Sequence, residues 1–335
     1  TIYNPNTQGS TWFGLDAGLS QVGTTGSYNT LYGYYAGRLI TTGARNTIIG
    51  GLAGDAAGTN VLNYNVIIGS YAGGTLANTS NSNVIVGDGA GASSVGMNGN
   101  VIIGQGAGDG NTGASNVLIG YNAALLNTSG QRNVAIGYEA GKSITSDSDN
   151  IFIGYRSGYL RTAGTYNTFV GSNTNYAGGT GSYNTGVGRA AGYSLATGDN
   201  NTLFGKHAGY SITDADNNTI VGFDAGLSTT GAQNTLLGSG AGDALTTGSH
   251  NNIFGYACDA SSVSGTDQIV IGTNGQVGKG NSTGFISPGT GGVYQGNNSS
   301  SWSTTSDERI KKNIVNNNKG LEIIDKIQIR NFEYR

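Results

Sequence analysis

Apolar residues recur in short runs at regular intervals along most of the chain. The segment NVAIGYEAG (residues 133–141) is typical: an Asn, three apolar residues, a Gly, two further residues, and then Ala-Gly. The Gly that ends the apolar run recurs from Gly14 to Gly272, usually at every seventeenth position and otherwise at intervals of sixteen to nineteen. A fixed period of this size is the signature of a solenoid, in which each repeat forms one turn.

Each apolar run predicts a short β-strand. The runs are too short for a helix, and their Thr, Val and Ile residues favour strand. The small residues that follow suit a corner where two backbones lie close together. The pattern therefore predicts an all-β protein: a parallel β-roll or β-solenoid of about 16 short repeats over residues 11–275.

Alternation along each strand predicts two apolar faces. Thr47 and Ile49 point one way and Ile48 the other, yet a thin coil has only one interior. We place the middle residues on the outside, as a stripe that needs a cover; they are Ile48, Ile67, Ile85, Ile102, Leu118 and Phe152. An identical stripe on another copy covers it, which predicts a homotrimeric fibre, with a dimer as the alternative.

An Asn opens nearly every repeat. Side-chain amides at this position can stack in register at roughly the 4.8 Å spacing of paired strands and donate from turn to turn. The Asn residues run from Asn29 to Asn251, and we interpret them as a structural ladder rather than a binding site. Sixteen turns at this spacing would make a rod about 75 Å long.

The composition of the chain argues against several classes of function. Only 10% of the residues are charged and the net charge is −3, so no basic stripe is available for nucleic acid. No apolar run approaches the roughly 20 residues that span a bilayer, so membrane insertion is not expected. No recurrent carboxylate pair and no nucleotide-binding loop is found, so we expect neither a cofactor nor an enzyme acting on foreign substrates.

Several surface residues could carry chemistry. Tyrosines after the repeat glycines could stack on sugars or lie over the next turn; they are Tyr121, Tyr138, Tyr155, Tyr159, Tyr193 and Tyr210. A threonine column suggests ice binding, but earlier turns carry Val at the same position, which favours an inward or interfacial slot. This column comprises Thr168, Thr185, Thr202, Thr219 and Thr235, preceded by Val66, Val84, Val101, Val117 and Val134.

Metal and thiol chemistry have only isolated candidates. The acidic turns 147–149 and 214–216 could offer oxygen ligands to Ca²⁺ but lack the spacing of known calcium loops, so solvated turns are favoured. His207 and His250 could meet only across a symmetry axis. We therefore expect no metal site. Cys258, which stands where other repeats carry Ala, is interpreted as a buried structural thiol.

Three further segments flank the repeats. Residues 1–10 are interpreted as the end of an upstream segment, and residues 276–303, rich in Gly, Ser and Asn, as a neck. A charged segment occupies residues 304–335. Its residues 320–327 have helical spacing and residues 328–335 alternate like a strand, which predicts a small α+β unit.

Two resemblances follow from these residues. NVAIG and its counterparts resemble the β-roll head repeats of trimeric autotransporter adhesins and, more closely, the Gly/Asn-rich repeats of phage tail fibres. Residues 304–335 resemble the start of the intramolecular chaperone domain of endosialidase-type tail spikes, the peptidase S74 family. The second resemblance is confined to this short segment, so we expect a truncated domain.

The resemblance implies a structural and adhesive protein. It points to a phage tail fibre in the virion, extracellular, that binds a host cell-surface glycan or other receptor and joins other tail or fibre proteins at its N-terminus. Its C-terminal chaperone would drive trimerisation. A trimeric adhesin of the bacterial cell surface is the alternative, and an ice- or surface-binding solenoid is a third.

The resemblance also implies one-time self-cleavage. The family's Ser-Asp-x-x-x-Lys motif maps onto Ser306, Asp307 and Lys311. Ser306 would be the nucleophile and Lys311, deprotonated in a less polar site, the base. In the competing interpretation Asp307 only caps a helix.

Overall fold

A computed structural model describes residues 9–21, 27–55, 61–76, 80–289, 291–296 and 301–304. These residues form one sheet of short strands and contain no helix, so none of them belongs to a helix able to cross a membrane. The strands are β1 (Thr11–Phe13), β2 (Thr30–Tyr32), β3 (Thr47–Ile49), β4 (Val66–Ile68), β5 (Val84–Val86), β6 (Val101–Ile103), β7 (Val117–Ile119), β8 (Val134–Ile136), β9 (Ile151–Ile153), β10 (Thr168–Val170), β11 (Thr185–Val187), β12 (Thr202–Phe204), β13 (Thr219–Val221), β14 (Thr235–Leu237), β15 (Asn252–Phe254), β16 (Ile269–Gly272), β17 (Gly284–Ser287), β18 (Val293–Gln295) and β19 (Trp302–Thr304).

Each of the first sixteen strands pairs with the next in parallel and in register. Val101 lies opposite Val117 and Ile102 opposite Leu118, and this register repeats along the rod. The chain is therefore a parallel β-solenoid of about sixteen turns, which confirms the predicted all-β architecture and its period. β17 continues the parallel stack, whereas β18 and β19 add to it in antiparallel orientation. The α+β unit expected at residues 304–335 lies outside the described residues, apart from the backbone of Thr304.

The corner after each strand explains the repeated glycine. At Gly137 the backbone has φ of +136°, and a Cβ there would lie 2.5 Å from the carbonyl oxygen of Gly154 on the next turn. No L-residue with a side chain fits such an approach. Ala140 then points inward and is fully buried, and the Gly141 N–H donates to the carbonyl of Ser157 at 2.8 Å.

The middle residue of each strand points into the core. Ile48, Ile102 and their equivalents are fully buried, so the outward stripe predicted from the sequence was assigned to the wrong face. The flanking residues, such as Thr47 and Ile49, face out and are half-buried. The path of the corner determines which face points inward. The small residue after each corner, usually Ala, packs with the middle strand residue in one core, which strand alternation alone does not reveal.

The Asn ladder is present as predicted. Asn184 donates through Nδ2 to Asn167 Oδ1 on the preceding turn (3.2 Å), and its own Oδ1 accepts from Asn201 Nδ2 (3.1 Å). The same Nδ2 donates to the Gly198 carbonyl at 2.8 Å, which ties the strand to the opposite wall of the turn. The fully buried ladder residues therefore satisfy core polar groups and are not exposed to a ligand.

Candidate functional site on the outer columns

The residues that face outward from the strands form two columns along the rod. The third residue of each strand from β1 to β16 is apolar, and we call this set the outer apolar column. It comprises Phe13, Tyr32, Ile49, Ile68, Val86, Ile103, Ile119, Ile136, Ile153, Val170, Val187, Phe204, Val221, Leu237, Phe254 and Ile271. The described part of the chain places no element over it, so it is a long apolar stripe.

The first residue of each strand forms the neighbouring column. It carries Val or Ile from β4 to β9 and Thr from β10 to β14. Its members face outward: Thr202 and Thr219 are exposed, while Val101 and Val117 are half-buried. The inward option for this column is therefore wrong, and the two columns together give the rod its broadest apolar face between β4 and β9.

Tyrosines stack in two ladders beside the strands. Tyr121, Tyr138 and Tyr155 form one, with ring centroids 5.0 and 5.4 Å apart. Tyr159, Tyr176, Tyr193 and Tyr210 form the other, with spacings between 4.8 and 5.2 Å. Since each inner ring is covered on both faces by its neighbours, the ladders offer ring edges rather than open platforms. Of the two sequence interpretations, the one with rings lying over the next turn is confirmed.

A charged cluster joins the two ladders. Glu139 accepts hydrogen bonds from Lys142 Nζ at 2.7 Å and from Arg156 Nε at 2.8 Å. The Arg156 guanidinium also lies 5.1 Å from the Tyr155 ring centroid and 5.0 Å from that of Tyr159. Burial acts to raise the pKa of Glu139, but the two hydrogen bonds outweigh it and hold the pKa below its ordinary value. The carboxylate therefore stays ionised. Its negative charge offsets one of the two positive charges of Lys142 and Arg156, so the cluster keeps one positive charge.

A second polar cluster surrounds His207. Its Nδ1 lies 2.9 Å from Asp224 Oδ1, and its Nε2 lies 3.1 Å from Arg189 Nη1. Because Arg189 can only donate, Nε2 accepts in that contact, and Nδ1 faces the carboxylate. Both ring nitrogens are thus engaged with neighbouring side chains. His250 is on another turn and lies 3.8 Å from Asp267.

The acidic turns are used in different ways. Asp149 pairs with Arg132 through two hydrogen bonds of 2.6 and 2.8 Å, and the bond from Arg132 lowers the pKa of Asp149. Asp216 accepts from the backbone N–H of Asp199 at 2.7 Å, while Asp214 is exposed. Among the described residues, no three His, Cys, Asp or Glu side chains lie close enough to hold a metal ion together.

A buried charge that the sequence interpretation missed lies inside the rod. Arg161 occupies the inward position that Ile144 and Leu195 hold on other turns and is fully buried. Its Nη1 donates to Asn175 Oδ1 at 3.1 Å, and burial lowers its pKa to about 10 despite the nearby Asp147 carboxylate. Burial likewise raises the pKa of Asp147 to about 6. A signal was available, since no other described turn carries a charged residue at this position, which holds Ile or Leu on some turns and Ser, Asn or Thr on others.

The remaining candidates divide between the core and the region beyond the described residues. Cys258 is buried in the Ala position, and burial raises the pKa of its thiol, so it matches the structural thiol expected from the sequence. Ser306, Asp307 and Lys311 all lie outside the described residues.

Comparison of the chain with protein-family models, with curated proteins and with solved structures gives no match.

Proposed function

We propose that the chain is the shaft of a homotrimeric adhesive fibre, of the kind that phage tails use to bind a host cell surface. The observation that carries the proposal is the outer apolar column, which repeats at every turn from β1 to β16. A stripe with the same period on every copy of the chain is best covered by another copy, since only an identical rod matches it along its whole length.

Energy and symmetry both favour self-association. Covering the exposed part of one outward Ile or Val contributes on the order of 1 kcal/mol, and the contribution recurs on each turn. A closed three-fold arrangement buries the outer apolar column of every protomer equally. An open arrangement of copies would leave the column of a terminal protomer exposed. The rod then acts as a rigid spacer between a virion, where other tail proteins hold its N-terminal end, and a receptor.

The C-terminal resemblance adds two parts to the proposal. Residues 304–335 would begin a chaperone that drives trimerisation, and Ser306 with Lys311 as base would cut it away once the fibre has formed. Intact-mass spectrometry of full-length wild type and of Ser306→Ala decides the cleavage: both chains uncut would leave Asp307 with a capping role. A bacterial surface adhesin remains the alternative to the phage fibre.

Oligomeric state tests the proposal directly. We expect light scattering of the wild type to give three times the mass of one chain. The double variant Ile119→Lys/Ile136→Lys places two charges in the outer apolar column without touching the core, and we expect it to dissociate.

The matched control is Thr202→Lys/Thr219→Lys, which adds the same charges at outward strand positions that are already polar and exposed. It should keep the wild-type mass. Circular dichroism and thermal melting establish that each variant is folded. A wild-type monomer, or a trimer that survives both lysines in the column, would contradict self-association through it.

A further inference from the structure

The last strands of the sheet border an open cleft on the outward face of the rod. Its volume is about 530 Å³, within the range of small-molecule sites in proteins. The residues that line it include Asp267, Ile269, Thr283, Gly284, Gln295 and Trp302. None of them belongs to the tyrosine ladders or to the clusters around Glu139 and His207.

A glycine at position 284 leaves room for the indole of Trp302 in the cleft. Ile269, Gly284, Gln295 and Trp302 lie directly opposite one another on β16 to β19, so they form one row across the sheet. The row continues the column of first strand residues, but glycine stands at position 284. A Cβ on Gly284 would lie 3.4 Å from Cη2 of Trp302, so the indole reaches over this gap.

Trp302 differs from the tyrosines in its surroundings. About 55% of its surface is exposed, and in the described part of the chain no aromatic ring stacks on it. The exposed Ile269 adds a second apolar wall. The cleft thus combines an open aromatic ring with a carboxylate, a side-chain amide and hydroxyl groups.

We propose that this cleft binds one or two pyranose units of a neutral saccharide. A pyranose has a face of C–H groups that packs on an indole and a rim of hydroxyls that both donate and accept hydrogen bonds. Trp302 would hold the apolar face, while Asp267 and Gln295 would bond the hydroxyls. Asp267 is exposed and negative, so it disfavours acidic sugars.

This assignment deepens the adhesive function proposed above and rests on it for the source of the sugar, a polysaccharide of the host surface. The binding chemistry itself depends only on the residues of the cleft. The oligomeric state and the saccharide site can therefore fail separately. A trimer that binds no sugar would support the fibre and contradict the saccharide site. A monomer that binds sugar would support the saccharide site and contradict the trimeric fibre.

Tryptophan fluorescence of the full chain provides the test. The chain contains two tryptophans, so Trp12→Phe leaves Trp302 as the reporter. The probes are maltose, cellobiose, lactose and N,N′-diacetylchitobiose, with sialyllactose as the acidic comparison. We expect at least one neutral disaccharide to change the emission in a saturable way and sialyllactose to bind more weakly.

Calorimetry with the best probe then separates the roles of the side chains. Trp302→Ala should weaken binding about tenfold or abolish it, and Asp267→Asn should weaken it several-fold. Tyr256→Ala, which removes another exposed aromatic residue on a nearby turn, should bind like the wild type. Unaltered melting temperatures establish that the variants fold.

Three results would overturn the proposal. They are no response to any neutral disaccharide, unchanged affinity in Trp302→Ala, and tighter binding of sialyllactose than of the neutral sugars.

Discussion

At the scale of single residues, the Asn ladder explains why one amino acid is repeated so strictly. Asn184 uses both amide functions at once: Oδ1 accepts from the backbone N–H and the Nδ2 of Asn201, at 2.9 and 3.1 Å, while Nδ2 donates to Gly198. Asp lacks the donor and Gln places it one bond further out. Gln268 shows the second effect, because its Nε2 turns to Ser261 and leaves the ladder.

We expect Asn184→Asp to destabilise the fold by about 2 kcal/mol or more, because it removes the donor to a buried carbonyl and adds a buried charge. The control is Asn200→Asp, directly before the next ladder residue, where the side chain is exposed and the change should be nearly neutral. Urea unfolding measures both variants. Equal stability for the two would mean that the ladder amides add nothing to folding.

Carboxyl burial gives a second prediction at this scale. Burial, and then repulsion from Asp243, raises the pKa of Asp259 to about 6. The folded chain therefore binds this proton more tightly than the unfolded chain, whose carboxyl has the ordinary value of 3.8, and stability falls as pH rises between about 4 and 6.

Asp259→Asn removes that cost while its Oδ1 can still accept from the Ala244 N–H. Its melting temperature should exceed that of the wild type at pH 7.5 and converge with it near pH 4. Asp214→Asn, at an exposed site, should follow the wild type throughout. A constant offset between Asp259→Asn and wild type across this pH range would contradict the titration.

At the scale of the strands, the core is packed as one column in which large and small residues compensate. Phe152 and Phe169 lie on adjacent turns with ring centroids 6.2 Å apart. The residue before this pair in the column is Ala135 and the residue after it is Gly186. Two small residues thus flank the two phenylalanines, so large and small residues offset one another in part over these four turns.

This compensation makes Gly186 a test of packing. A Cβ there would lie 2.8 Å from Cδ1 of Phe169 and 3.0 Å from Cγ2 of Thr174, so Gly186→Ala should cost about 1–3 kcal/mol. Most other strands carry a larger residue at this position, and a repeat consensus would favour the opposite result.

Adding Phe169→Leu should recover part of the loss, since the smaller side chain frees the space that the new methyl group needs. Denaturant unfolding of both single variants and the double variant gives the coupling energy. Strict additivity would show that the two positions do not share space.

At the scale of the whole molecule, the periodicity of the sequence predicted the architecture, whereas the inward face and the cleft depend on the local structure of individual turns. The nearly constant interval between repeats was sufficient for the solenoid, the strands and the Asn ladder, because each follows from stacking equal units. It was insufficient for the face that points inward: Ile48 and Ile49 are equally apolar, and only the path of the corner brings Ile48 beside the buried Ala53. The cleft at Trp302 lies where the repeat ends, so no period could indicate it.

The parallel register also has a mechanical consequence. The backbone hydrogen bonds between turns, such as Glu139 N–H to Tyr121 carbonyl, run along the rod axis, so a pull on one end loads them lengthwise. The chain leaves a turn at one corner, and tension applied there opens the bonds of the last turn in succession, like a zipper, rather than shearing them together. Each released turn would lengthen a single protomer by about 55 Å. This extension would lower the tension before the next turn is loaded. A rod built this way would unfold one turn at a time under a sudden force.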